Sequence, residues 1–346
     1  MKSIASVLSI IALGFGLLSC SGGGGGGGST SAFAVSTTAA DFGVVGNAYT
    51  STLAVTGGTA PFTWTLVGVL PNGLFLDTGT GVVSGTPSVD GNSTVDFIVT
   101  DSTGMTATGP VLFAVHPRTD VVSTDNSTPP VPKGAASSPS ISNDGRFVAF
   151  ASSAALLPGV FGSQIYIHDW QTNQTFLVSR NAVGTAGDGA SSQPTISSNG
   201  RFVAFSSASS TLTGDPDPGP SQIFLRDTQL NITTLVSQAT GVAGPVGNGA
   251  SSQPTISGDG QFVAFTSAAS TLTGDPSSAP SQIFLRDTVG NGTSLVSKDN
   301  SSPPVPGDGL SNTPSVSVNG GFVAFSSVST NLGAVGGNQI YVRARP

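Results

Sequence analysis

The sequence is constrained most by a four-residue string, FVAF, that occurs four times between residues 147 and 325. The copies lie at 147–150, 202–205, 262–265 and 322–325, so successive copies begin 55, 60 and 60 residues apart. A period of this length is typical of architectures in which one supersecondary unit is repeated and each copy packs on its neighbours. Residues 117–346 are therefore predicted to be a repeat array.

Each copy of the unit contains four short segments with the composition of β-strands. A polar segment ends at an Asn-Gly or Asp-Gly turn, FVAF begins the second segment, and strings such as QIFLRD at 222–227 and TTLVS at 233–237 follow. Asn-Gly and Asp-Gly supply the positive φ values that tight hairpins need, and strands that are apolar on both faces fit between neighbouring sheets. Four-stranded sheets repeated about an axis predict a four-bladed β-propeller over residues 117–346.

The fourth copy ends after its third segment, and the missing piece stands ahead of the first copy. The string TDVVSTDNSTPPVPKG at 119–134 repeats a fourth strand and the loop after it, with DNSSPPVPGDG at 299–309 as its near copy. We therefore expect residues 119–124 to complete the fourth sheet and close the ring, which would hide exposed sheet edges. Closure within a monomer is the favoured arrangement, and exchange of this strand between two chains is the alternative.

The repeat resembles the propellers of the TolB-like kind. Their pattern of PSIS, a DG turn, R-x-VAF, then D-x-[IV]-[FY]-x-RD and T-x-x-VS is carried in the first unit by Ser140, Ile141, Ser142, Asp144, Gly145, Arg146, Val148, Ala149 and Phe150. The relatives often have an acidic residue before the third strand. This chain has Gln164, Gln222, Gln282 or Gln339 there, which weakens any metal site that the resemblance implies.

A different pattern fills residues 32–116. Segments such as PFTWTLVG and STVDFIVTD alternate apolar and polar residues between turns, which is typical of a small β-sandwich, with Trp64 and Phe62 at its centre. The strings GGTAPFTWTL, LPNGLFLD and TGVVSGTP resemble the He_PIG-type immunoglobulin-like domains of bacterial surface proteins. That resemblance implies a spacer, an adhesion unit or a carbohydrate-contacting module.

The first twenty residues have the features of an export signal. Lys2 precedes a short apolar run that ends in LLSC, too short for a comfortable transmembrane span. LLSC resembles the lipobox of bacterial lipoproteins, which implies removal of a signal peptide (1–19) and acylation of Cys20. Acyl chains contribute about 0.8 kcal/mol per buried CH₂ and would anchor the protein to a membrane, the outer membrane being favoured by Ser21. Residues 20–31 would form a Gly-rich tether. An ordinary signal peptide with an incidental cysteine is the alternative.

Composition and charge exclude several classes of function. The chain carries a formal net charge of −7 and all 18 of its acidic residues are Asp. Nucleic acid is not an expected partner, because phosphate binding needs clustered cations. A paired-carboxylate glycosidase would have to use Asp pairs, because the chain has no Glu, and the G-x-S-x-G motif of a serine nucleophile is absent. We predict an all-β protein with almost no helix, no catalytic residues and no cofactor.

The charged residues of the repeats offer little further chemistry. Asp215 and Asp217, in TGDPDPGP, are the nearest approach to a metal site, but their spacing lacks the other ligands of a calcium loop, so a solvated turn is favoured. Arg226 and Arg286, each followed by an Asp, are expected to form surface ion pairs.

Two groups of residues are candidates for ligand binding. His168 and Trp170 break the repeat, since IHDW stands where other units have LRDT or VRAR, and such a pair could stack on a sugar or a peptide. Packing at the junction with the first domain is the alternative and the favoured interpretation. If the first strand is innermost, the central mouth, a usual ligand site of propellers, is lined by Ser140, Thr195, Thr255 and Ser315.

Together these features favour a lipid-anchored protein of the bacterial cell envelope that binds or scaffolds through its propeller face. An envelope protein or a glycan is the expected partner, and the first domain would act as spacer or adhesion module. A polysaccharide hydrolase or lyase and a pure structural spacer are the alternatives.

Overall fold

The computed structural model describes residues 32–214, 220–274, 281–333 and 337–345, and all regular structure within these ranges is β-strand. No helix in the same ranges has the length and apolar character needed to span a bilayer. The predicted signal peptide, Cys20, the tether, Asp215 and Asp217 lie outside the described residues.

The first unit contains nine strands. They are β1 (Ala34–Val35), β2 (Gly43–Val44), β3 (Tyr49–Thr52), β4 (Val55–Thr56), β5 (Thr63–Val67), β6 (Leu74–Leu76), β7 (Val82–Gly85), β8 (Gly91–Thr100) and β9 (Thr106–His116). One sheet has the order β2-β9-β8-β5, a second has the order β3-β7-β6, and β1 pairs with β4. The predicted immunoglobulin-like sandwich is therefore present.

The two larger sheets of this unit enclose an apolar core. Alternate residues of β8 point inward, as the two-residue period of a strand requires, and Phe97 packs against Phe113 with ring centroids 6.0 Å apart. Trp64 is buried in the same core, whereas Phe62 is only partly buried beside it. A side chain at Gly81, where φ is +70°, would lie 2.6 Å from the Trp64 indole nitrogen, so the turn there requires glycine.

Residues 136–344 form four sheets, one for each repeat. The first has β10 (Ala136–Ile141), β11 (Phe147–Ser152), β12 (Gln164–Asp169) and β13 (Gln174–Leu177), and the second has β14 (Ser191–Ile196), β15 (Phe202–Ser207), β16 (Gln222–Asp227) and β17 (Ile232–Leu235). The third has β18 (Ser251–Ile256), β19 (Phe262–Ser267), β20 (Gln282–Asp287) and β21 (Gly292–Leu295), and the fourth has β22 (Ser311–Val316), β23 (Phe322–Ser327) and β24 (Gln339–Ala344). Strands within each sheet pair in chain order.

The FVAF strand places apolar side chains on both faces of each sheet. In the second sheet, Val203 and Phe205 pack backward on the first sheet, whereas Ala204 packs forward on the third. We call these the backward and forward faces, after the direction of the chain. The small alanine on the forward face lets the next sheet approach closely, and each pair of neighbouring sheets shares one apolar layer.

The all-β fold with blade-like sheets is as predicted, but the predicted strand closure is not found. The fourth sheet has three strands, and residues 119–124 do not pair with it. Thr124 instead pairs with Pro132, and its carbonyl accepts a hydrogen bond of 2.8 Å from Thr175 Oγ1 in β13. The segment therefore lies against the first sheet.

Candidate functional site

We call the first strand of each repeat sheet its inner strand, because these four strands surround one cavity: β10, β14, β18 and β22. Each inner strand has a bulge at the residue before a proline. The residues at these bulges are Ser138, Gln193, Gln253 and Thr313, with φ of 53°, 53°, 53° and 49°. This left-handed conformation costs a residue with a side chain about 1 kcal/mol or more. Because the following proline has no N–H to donate, the strand register shifts at this point in all four sheets. The same strained feature is thus repeated wherever the units converge.

The four bulges surround a cavity of about 290 Å³. Its lining consists of the bulge residue and the proline of each inner strand, together with Thr255. No lining residue is charged, so the cavity offers only amides, hydroxyls, backbone groups and proline rings to a ligand. We call it the central mouth, and it is the place in the molecule to which every repeat contributes.

Two glutamines of the central mouth are held in fixed orientations. The backbone N–H of Gln253 donates to Gln193 Oε1 at 2.9 Å, and the backbone N–H of Thr313 donates to Gln253 Oε1 at 2.9 Å. A backbone N–H can only donate, so the oxygen of each amide must face it. The NH₂ groups of both glutamines are left as donors at the cavity.

The residues predicted to line the central mouth have a different role. Ser140 Oγ accepts from the backbone N–H of Ile196 at 3.1 Å, and Thr255 Oγ1 accepts from that of Val316 at 3.2 Å. These two hydroxyls tie neighbouring inner strands together, and of the four predicted residues only Thr255 also borders the cavity. Thr195 and Ser315 are not part of the lining. The recurring strings SSP, SQP, SQP and NTP, just before the predicted residues, were the signal that could have identified the bulges.

His168 is not available to a ligand, which corrects one candidate site. Its side chain is buried and its Nδ1 lies 3.0 Å from Thr175 Oγ1. Burial lowers the pKa of His168 below its ordinary value, so the ring is neutral at neutral pH. It occupies the strand position that Arg226 and Arg286 fill in the next two units.

Those arginines are buried as well, not paired at the surface as expected. Arg226 Nη1 donates to the carbonyl of Arg180 at 3.3 Å and to Thr233 Oγ1 at 3.0 Å. Arg286 Nη1 donates to the carbonyl of Ala239 at 2.9 Å and to Thr293 Oγ1 at 2.9 Å. Burial lowers the pKa of Arg226 to about 10, which keeps it charged at neutral pH. These side chains tie each third strand to the preceding connection.

Trp170 lies at the junction between the two folded units. Its ring stacks on His116 with centroids 4.5 Å apart and contacts Phe42 at 5.4 Å, and its Nε1 donates to Asp120 Oδ2 at 3.3 Å. Gln171 Nε2 donates to the carbonyl of Ala40. The divergence of this repeat copy therefore serves domain packing.

The glutamines before the third strands form buried clamps. Gln222 Nε2 donates to the carbonyls of Gly247 and Gly249 at 3.0 and 3.1 Å, and its Oε1 accepts from Ser237 Oγ at 2.6 Å. Gln164 and Gln282 make the same contacts in their units. A carboxylate there would face two carbonyl oxygens, so an amide fits this position and an acid does not. Within the described ranges, no three His, Cys, Asp or Glu side chains are grouped to hold a metal ion.

A family model matches the first folded unit of the chain, whereas the chain as a whole is matched by solved structures only. Residues 29–116 match the family described as "Putative Ig domain", which confirms the immunoglobulin-like domain. Among curated proteins, no sequence matches this chain.

Solved structures match the chain at low identity. TolB from Acinetobacter baumannii is 17% identical, with 75% of this chain and 57% of that one covered and a TM-score of 0.36. Oligogalacturonate lyase from Vibrio parahaemolyticus is 16% identical, with 73% and 55% covered and a TM-score of 0.37. An auxiliary nutrient binding protein from Bacteroides thetaiotaomicron is 10% identical, with 89% and 70% covered and a TM-score of 0.31. The matched part of this chain spans little more than half of the first two proteins, and TolB is among the structures similar to it.

Proposed function

We propose that this protein is a non-catalytic binding protein of the bacterial cell envelope and that its central mouth holds a neutral glycan. The observation that carries the proposal is the uncharged lining, in which Gln193 and Gln253 present NH₂ donors whose direction is set by backbone hydrogen bonds. Fixed polar groups at a concave site give a ligand its orientation.

The chemistry of the lining suits sugar hydroxyls. Amide NH₂ groups donate to hydroxyl oxygens, the hydroxyl of Ser138 can donate or accept, and the proline rings offer apolar surface to the C–H face of a sugar. A uronate or a phosphate would lack a cation at this site, because no Lys, Arg or His lines the cavity. Neutral glycans are therefore favoured over acidic ones. The oligogalacturonate in the name of the Vibrio lyase is an acidic glycan.

The lining also argues for binding without catalysis. Hydrolysis of a glycosidic bond normally uses a pair of carboxylates on either side of the bond, and the central mouth has none. The immunoglobulin-like domain, fixed to the first sheet through Trp170 and Gln171, would serve as a rigid spacer.

The location of the protein is part of the same proposal. The LLSC string supports lipid attachment at Cys20, and Ser21 as the next residue favours the outer membrane. Cells fed a labelled fatty acid should incorporate it into the wild-type chain and not into Cys20→Ser. Equal label in both chains would contradict the anchor.

The binding test uses the full chain and soluble oligosaccharides of neutral and acidic composition. The double variant Gln193→Glu with Gln253→Glu keeps both acceptor oxygens for the backbone N–H groups but removes both NH₂ donors. We expect the wild type to bind neutral oligosaccharides only. The affinity of the double variant for them should be roughly tenfold or more lower, since each hydrogen bond contributes about 1 kcal/mol.

The control for this test is Gln174→Glu, which changes an exposed glutamine on the outer strand β13. It should bind like the wild type. Preference of the wild type for acidic sugars or for peptides, or unchanged binding in the double variant, would contradict the proposal, and shortening of the oligosaccharides would favour the enzyme instead.

A further inference from the structure

The last sheet of the array exposes an apolar face that its counterparts bury. In the third sheet, three forward-facing apolar side chains are 5%, 0% and 3% exposed because the fourth sheet covers them: Phe262, Ile283 and Leu285. At the equivalent positions of the fourth sheet, the side chains are 51%, 76% and 70% exposed: Phe322, Ile340 and Val342. The fourth sheet also lacks the outer strand that the others have.

The backward face of the first sheet is uncovered at its inner edge. Ile141 is 60% exposed, whereas its counterpart Ile196 in the second sheet is 7% exposed because it packs on the first sheet. Throughout the array, forward faces pack on backward faces. Further out on the same face, Phe150 and Tyr166 are already buried in a cluster of their own unit. The two ends of the array therefore expose a forward face at one end and the inner edge of a backward face at the other.

The segment before the first sheet has the position of a connection that follows a fourth strand. Thr175 Oγ1 donates to the carbonyl of Thr124, just as Thr233 Oγ1 donates to that of Arg180 and Thr293 Oγ1 to that of Gln238. Counting back from Thr124, residues 118–121 correspond to strand β13, which spans Gln174–Leu177 and precedes Arg180. Residues 118–121 thus occupy the place in the repeat that a fourth strand has in other units, but within the described residues no sheet lies beside them to pair with.

The backbone of this segment is available for pairing. In the described parts of the chain, no hydrogen bond between backbone groups involves Thr119, Asp120 or Val122. The N–H of Val121 donates only to the neighbouring carboxylate of Asp120, at 2.8 Å. Side chains hold the segment instead: Arg118 Nε donates to the carbonyl of Val45 at 3.3 Å, and Asp120 accepts from Trp170. A strand with free backbone groups and an open sheet edge are the two components of β-strand addition.

We propose that the exposed end of the fourth sheet is occupied by a second copy of this chain. Residues 118–121 of that copy add the missing strand beside β24, and the backward face of its first sheet covers Phe322, Ile340 and Val342. In the register of β12 with β13, where Ile167 lies opposite Phe176, Val342 would lie opposite Asp120 of the second copy.

Closure into a ring of known size favours two copies over a longer assembly. A contact between two different surfaces closes into a ring only if its rotation returns to the start, and otherwise it builds a filament. Two copies of four sheets make an eight-bladed ring, within the range of known propellers. The same contact would then form twice, and no apolar end or open strand edge would remain. This inference does not depend on the ligand of the central mouth.

The test is the mass of the full chain, purified in detergent, by light scattering over a range of concentrations. We expect twice the mass of one chain for the wild type. Val342→Asp should weaken association by roughly thirtyfold or more, since it puts a charge in the centre of the contact. The matched control is Val289→Asp, because Val289 is 71% exposed in a turn of the third sheet and Val342 is 70% exposed. It should remain a dimer. A monomeric wild type, a mass above two chains, or a dimeric Val342→Asp would overturn the proposal.

A crosslink distinguishes strand addition from other dimers. Two differently tagged copies are expressed together, one with Val342→Cys and the other with Asp120→Cys, both in a Cys20→Ser background. Under oxidation the two differently tagged copies should become joined by a disulfide, because the Cβ atoms of directly opposed residues in paired strands lie about 4.5–5.5 Å apart. The pair Val289→Cys with Asp120→Cys should not crosslink. A chain carrying both Val342→Cys and Asp120→Cys that crosslinks only within itself would mean closure by one copy and would overturn the second copy.

Discussion

The two folded units of this chain build their interiors in different ways. The core of the immunoglobulin-like domain is mainly apolar, with Trp64, Phe97 and Phe113 between two sheets. The repeat array also has apolar layers, but it buries polar side chains at the same places in its first three units, such as Gln222 and Arg226 in the second. In the sandwich, alternation of apolar residues is enough to define the inside. In the array, neighbouring sheets are nearly alike, and buried polar groups specify which connection belongs to which sheet.

The largest expected effect comes from charging one of these buried polar groups. Gln222→Glu would place a carboxylate against the carbonyls of Gly247 and Gly249, and an uncompensated buried charge costs about 3–5 kcal/mol. We expect the free energy of unfolding of the array, measured in urea, to fall by that amount at pH 7. The loss should be smaller at low pH, where the introduced carboxyl is protonated.

Gln229→Glu, on an exposed residue of the turn after the same strand, provides the control and should change the free energy of unfolding by less than about 0.5 kcal/mol. Equal stability of the two variants would show that the clamp contributes nothing, and the contrast between the two interiors would be lost.

An apolar truncation in the sandwich should have the next largest effect and should stay within that domain. Leu74 is buried in the core, and its replacement in Leu74→Ala should cost about 2–3 kcal/mol through lost contacts and a cavity. The chain has two tryptophans, so in a Trp170→Phe background the fluorescence of Trp64 follows the unfolding of this domain alone. Phe75→Ala, at a residue that is 72% exposed, should leave the transition in place. A shift of the array's transition by Leu74→Ala would mean that the two interiors are not independent.

A smaller effect is expected at the junction, where the two units meet. Trp170→Ala removes the ring contacts with His116 and Phe42, and aromatic pairs of this kind contribute about 0.5–1.5 kcal/mol. A double-mutant cycle with His116→Ala should recover a coupling energy of that size. Phe176→Ala, which truncates a half-exposed ring of β13, should show no coupling to His116. Zero coupling at Trp170 would mean that the units are joined only by the chain.

The smallest effect is a dependence of stability on pH. The chain has two histidines, and burial lowers the pKa of both His116 and His168. The unfolded chain therefore takes up protons first, so stability is complete above about pH 6.5 and falls as the pH decreases below it. Asp120 faces His116 at 3.9 Å and opposes this effect in part. Urea midpoints at pH 7.5 and 5.5 should differ less in His116→Phe than in the wild type. Equal differences would place the whole effect at His168.

Much of the fold could be predicted from the sequence, because its signals are local. Each of these signals depends on a few neighbouring residues. The FVAF copies and the alternating segments correspond to strands in the structure, and the Asn-Gly and Asp-Gly turns lie between strands. The closure of the ring could not be predicted in this way, since it depends on the rotation between successive sheets, which no short string encodes.

The candidate site was predicted less well, for a related reason. Arg226 stands beside an Asp in the sequence, yet its partner is the carbonyl of Arg180, 46 residues earlier. The bulge at Gln193 depends on a backbone angle that glutamine rarely adopts. Both features arise from contacts between repeats, so the pattern within one repeat could not reveal them.

The repetition of one unit has a consequence for how such proteins diversify. Every pair of neighbouring sheets meets through the same kind of apolar layer, so gain or loss of one 60-residue period would leave the remaining contacts between sheets unaltered. Recombination among the near-identical copies could then lengthen or shorten the array by whole units without any new sequence.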